Sequence, residues 1–111
     1  MKSLICSVSP DNYIPEVAAE KRLVLLFFML ADDVYPGQLK IVEHVANKYH
    51  DCLKVCIPSG ETMEMFKRKF RIVGTPTFLL MMKNKEICRI YGVVEQAALE
   101  DAINQHLSAT Q

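Results

Sequence analysis

Nine consecutive residues, Leu23 to Ala31, carry no polar side chain, and few folds accept such a run. A strand with one face in water alternates apolar and polar residues, whereas a strand covered on both faces reads as a continuous aliphatic and aromatic stretch. Arg22 to Leu30 is of the second kind and predicts a central strand of a layered sheet. A membrane-spanning helix needs roughly 20 apolar residues, so the run is too short to cross a bilayer.

The rest of the chain supplies what such a strand needs for cover. Leu4 to Val8 is a β-prone run closed by Ser9-Pro10-Asp11, and Asp11 to Glu20 follows with helical spacing at Ile14, Val17 and Ala18. From Val34 to His50 the positions Leu39, Val42, Ala46 and Tyr49 recur at three- and four-residue steps, and Ile41 with Val45 widens the stripe. Cys52 to Ile57 reads as a strand, Pro58-Ser59-Gly60 as a loop, and Glu61 to Phe70 as a helix. Phe78 to Met82, the polar turn Lys83-Asn84-Lys85 and Glu86 to Tyr91 form a hairpin pattern. Leu99, Ala102, Ile103 and His106 mark one face of a last helix. The order βαβαβαββα, with no repeat or low-complexity stretch, predicts an α/β fold.

Length and composition bound the organisation. A chain of 111 residues, half apolar and 23% charged, suits one domain spanning 1–111 with one sheet and is far from the composition of disordered segments. Thirteen basic residues balance thirteen acidic ones, leaving no net field to draw the chain to a nucleic acid or an anionic membrane. Met1 to Pro10 lacks the apolar core of a secretory signal, and the expected compartment is the cytoplasm. There the cysteines Cys6, Cys52, Cys56 and Cys88, none in a CxxC pair, are expected as reduced thiols.

Arg71-Ile72-Val73-Gly74-Thr75-Pro76-Thr77-Phe78-Leu79-Leu80, followed by Lys83-Asn84-Lys85-Glu86 and Tyr91-Gly92, resembles the C-terminal half of a thioredoxin. Leu25 to Phe28 and Val42 to Tyr49 resemble, more loosely, the second strand and long helix of that family. The resemblance implies a three-layer thioredoxin-like sandwich, a mixed sheet of about five strands flanked by four helices, with a cis peptide bond before Pro76. Sheet physics agrees on the place of Pro76, because proline removes a ladder donor and is tolerated at a strand entrance.

The chain departs from the family where the family does its chemistry. Matched without gaps, the thioredoxin Trp-Cys-Gly-Pro-Cys segment falls on Ala31-Asp32-Asp33-Val34-Tyr35, and the family's buried acid falls on Leu26. Dithiol exchange needs an attacking thiolate and a resolving thiol; neither is present there. Asp32 and Asp33 are expected to cap the long helix or to face a basic partner. The histidines His44, His50 and His106 lack the spacing of a helical ligand set, so no metal and no cofactor is expected. Cys52 and Cys56, four strand residues apart, are separated by about 13 Å and cannot bridge. Cys6 and Cys56 are closer if their strands are neighbours, as the resemblance implies. Met63, Met65, Met81 and Met82 are expected to fill core.

Two functions remain open. The first is a redox-inactive, chaperone-like interaction module with no catalytic residue, whose groove, by analogy with the family, comprises Asp32, Asp33, Val34, Tyr35, Thr75, Pro76 and Gly92. Its partner is a protein or extended peptide, and the oligomeric state is open. Tyr35 either anchors a partner or packs against its own helix. The second is a thiol-redox protein using one of the non-motif cysteines, for which an exposed thiol of low pKa is the requirement.

Overall fold

The structure, a computed structural model, describes residues 4–30 and 33–109. Strands β1 (Ile5–Val8), β2 (Leu23–Phe28), β3 (Leu53–Pro58), β4 (Thr77–Met82) and β5 (Lys85–Tyr91) form one mixed sheet in the order β1-β3-β2-β4-β5. The first three are parallel, and β4 and β5 run antiparallel to their neighbours. Helices α1 (Tyr35–Lys48), α2 (Met63–Lys69) and α3 (Gln96–Ala109) join a π-helical segment at Ile14–Ala18 and a 3-10 turn at Gly60–Thr62. Among the described residues, no helix is long and apolar enough to cross a membrane.

All six residues of β2 are buried, as its unbroken apolar run requires. Leu23, Leu25 and Phe27 point to one side, where they meet Val42 and Val45 of α1 and Leu99 and Ile103 of α3. Val24, Leu26 and Phe28 point to the other, where they meet Val17 of the π-helical segment and Phe66 of α2. The sheet thus separates two apolar clusters, each closed by its own pair of helical segments.

Three local expectations are corrected. Ile14 is 70% exposed while Tyr13 and Val17 are buried. The Ala19 N–H reaches back five residues to the Ile14 carbonyl, and this wider turn rotates the buried face away from the 3.6-residue stripe. Met65 is exposed, although Met81 is core and Met63 and Met82 pack against it. Asp33 does not cap α1: the cap position is Val34, without a side-chain bond to the helix. Asp33 stands one residue too early for that role, and Pro36 in the first turn has no N–H to satisfy. Asp32 lies outside the described residues.

Lys83 and Asn84 both have positive φ, at 52° and 65°, so two residues close the β4–β5 hairpin where the sequence pattern indicates three. Left-handed conformation at both centres is the turn that matches strand twist, and asparagine tolerates it well. The Tyr13 hydroxyl donates to Asn84 Oδ1 at 2.7 Å, tying this turn to the π-helical segment.

Candidate functional site

Strand register assembles the site. Phe28 pairs with Thr77, and Thr77 with Tyr91, so the end of β2, the start of β4 and the end of β5 lie side by side. Leu30, Thr75-Pro76 and Gly92-Val93 therefore emerge beyond the same end of the sheet, where α1 also begins. The Thr75–Pro76 peptide bond is cis. The buried Pro76 offers its carbonyl to the Gly92 N–H at 2.9 Å, and the Thr77 hydroxyl donates to the Gly74 carbonyl at 2.7 Å. Gly92 has a φ of 92°, a conformation in which only glycine is unstrained.

Five of the large apolar side chains left in water gather at this end: Leu30, Val34, Val73, Tyr91 and Val93, with Val73 88% exposed. Between them lies Thr75, half-buried and two residues before the start of β4. Its backbone N–H and C=O are bonded to no other described residue.

Two devices hold the loops at this end of the sheet. The first ends α2. Ile72 N–H donates to the Lys67 carbonyl and Arg71 N–H to that of Arg68, at 2.7 and 3.2 Å, with Arg71 left-handed at φ 54°. This is the six-to-one and five-to-two pairing that glycine usually closes. The Arg89 guanidinium on β5 donates to the carbonyls of Phe70 and Arg71 at 2.7 and 3.1 Å, to the Tyr91 hydroxyl and to both Glu86 carboxylate oxygens. The segment leading to Pro76 is thereby clasped to the sheet.

The second device is Gln38 on α1. It is 4% exposed, and its amide exchanges two hydrogen bonds with the Val94 backbone: Nε2 donates to the carbonyl and Oε1 accepts from the N–H, each at 3.0 Å. A helix side chain thus substitutes for a strand partner and fixes the loop carrying Gly92 and Val93. Neither Gln38 nor Arg89 is among the site residues read from the sequence. The only signal for Gln38 is a polar residue four positions before Val42, on the apolar stripe.

The sequence-derived site residues divide. Thr75, Pro76 and Gly92 come together through a direct hydrogen bond. Asp33 and Val34 are exposed at the same sheet end. Tyr35 does not project as a free anchor: its ring stacks on Phe27 at a centroid distance of 6.3 Å. It also lines a separate hollow of about 410 Å³ with Ile5, Leu39, Ile57, Pro58 and Gly60, on the β1–β3 side.

The thiols are elsewhere. Cys56 is fully buried, and Cys6, Cys52 and Cys88 are half-buried. Burial pushes the Cys56 thiol up to about 12, and burial likewise raises Cys6 and Cys88. Leu26, which the resemblance sets at the buried acid of thioredoxins, is buried in the cluster that holds Val24, Phe28 and Leu79. Among the described residues no group of three His, Cys, Asp or Glu side chains is arranged to hold a metal ion. The chain matches no family model and no curated protein. Its function is therefore read from this geometry.

Proposed function

We propose that this chain is a thioredoxin-like protein without dithiol chemistry, a binding module that holds an extended polypeptide beside Thr75 and Pro76. The two-sided helical cover of a five-stranded mixed sheet and the sequence around Pro76 support the family assignment. One observation carries the binding role: a backbone N–H and C=O at Thr75 that no other described residue engages, flanked by the exposed Val73 and Val93. A peptide laid along this edge gains strand-like hydrogen bonds from Thr75 while alternate side chains meet the apolar rim. Asp33 and Val34 form the opposite wall, and Gln38 and Arg89 position the loops.

A thiol-redox role through a single cysteine finds no support, because a nucleophilic thiol needs a lowered pKa and Cys6, Cys56 and Cys88 are shifted the other way. The test is fluorescence anisotropy with a labelled, carboxymethylated unfolded polypeptide that has no free thiol. Val73→Glu places a charge on the rim without touching the core, and should weaken binding at least tenfold. Equal binding by wild type and variant removes the groove from the proposal, and thiol-dependent reduction of insulin by the wild type removes the redox-inactive reading.

A further inference from the structure

The parallel register of β1 and β3 places Cys6 directly opposite Cys56. Both side chains face the α2 side of the sheet, where Cys56 is core and Cys6 packs against it. Neighbouring strands lie about 4.8 Å apart, inside the range of roughly 4.4–6.8 Å between Cα atoms that a disulfide spans. The two sulfurs differ in access: Cys56 is fully buried, while Cys6 is half-buried on the sheet's edge strand. Cys6 is also oriented. Its thiol donates to Glu16 Oε2 at 3.1 Å, and the same carboxylate oxygen receives the Lys54 ammonium.

From this arrangement we infer that Cys6 and Cys56 are an oxidisable pair that closes to an intramolecular disulfide when a hydroperoxide reaches Cys6. In the first step the Cys6 sulfur attacks the outer peroxide oxygen and the O–O bond breaks. The Cys6 proton passes to the Glu16 carboxylate and on to the departing oxygen, leaving a sulfenic acid and, for hydrogen peroxide, one water. In the second step the Cys56 sulfur attacks the Cys6 sulfur and displaces hydroxide, which leaves with the Cys56 proton as a second water. Two thiols are oxidised by two electrons and one peroxide is reduced. The raised pKa of both thiols makes this a slow responder that needs sustained oxidant. The product staples the edge strand β1 to β3. It does not depend on the peptide groove, so either reading can fail without the other.

The experiment treats the reduced native protein with hydrogen peroxide and maps disulfides by mass spectrometry after digestion without reductant. The expected product is a Cys6–Cys56 linked peptide lacking two hydrogens, in monomeric protein, reversed by dithiothreitol. Over-oxidation of Cys6 with Cys56 still open to alkylation after unfolding, or pairing of Cys6 with any other thiol, overturns the inference. Cys56→Ala removes the resolving thiol, so the Cys6 sulfenic acid should accumulate and be trapped by dimedone; labelling no greater than in wild type refutes the assigned order. Cys6→Ser changes a single half-buried atom and should protect Cys56 from peroxide, and oxidation of Cys56 in that variant refutes it equally.

Discussion

Replacing Gln38 with leucine should destabilise the fold well beyond what loss of a surface glutamine would cost. Leucine fills nearly the same volume but leaves the Val94 N–H and C=O, both bonded to Gln38 in the native protein, without partners in a buried site. Each stranded backbone group costs about 1–3 kcal/mol, and the apolar side chain returns roughly 1–2 kcal/mol through burial. At the middle of both ranges the net loss is about 2.5 kcal/mol. At about 2.1 cal/mol/K of unfolding entropy per residue, a chain of 111 residues then loses roughly 11 °C in Tm. Thermal melts followed by circular dichroism measure the shift, and hydrogen exchange at the Val94 amide shows whether the loss begins there. Gln38→Glu sharpens the test. Its carboxylate accepts from Val94 N–H but repels the Val94 carbonyl, and protonation supplies the missing donor. The folded-state pKa of that group is raised, so its favourable contribution is present at low pH and lost as pH rises through it. The deficit against wild type should therefore be smaller at pH 4 than at pH 7. A drop below about 3 °C for Gln38→Leu, with Val94 protection unchanged, would refute the role given to this side chain.

Two further outcomes concern stability. Arg71→Gly should raise stability by about 0.5–1 kcal/mol in urea melts, because relief of left-handed strain exceeds the added entropy of the unfolded chain; a destabilised variant would contradict the α2 termination described above. Glu20 is held down to about 2 from 4.5, mainly by its hydrogen bonds from the Arg22 side chain. This depressed carboxyl contributes stability above pH 4.5 that is lost as pH falls toward 2, on the order of 1 kcal/mol after solvent screening. Glu20→Gln should flatten the acid limb of the stability curve over that window, and an unchanged slope would show that the pair carries no net energy.

The central strand was legible because burial on both faces leaves a one-dimensional trace, an apolar run with no period. The hairpin and α3 were legible for similar reasons, from turn chemistry and helical spacing. What the sequence hid depends on contacts between distant segments. Gln38 reads as a flaw in an apolar stripe until Val94, 56 residues away, supplies the bond. Register between β1 and β3, which sets Cys6 against Cys56, is invisible without the pairing. Tyr13 and Ile14 exchange faces because one turn closes over five residues. Thr75, Pro76 and Gly92, named by family resemblance, are brought to one end of the sheet by strand register, whereas the choice between the two readings of Tyr35 turns on its stacking on Phe27, a tertiary contact.

The sheet divides the interior like a party wall between two rooms. Gln38 holds the Gly92 loop from one side of that wall, and Arg89 holds the approach to Pro76 from the other, so each lip of the proposed groove hangs from a separate face of the sheet. A change in the packing of α1 and α3 would therefore act on one lip more directly than on the other.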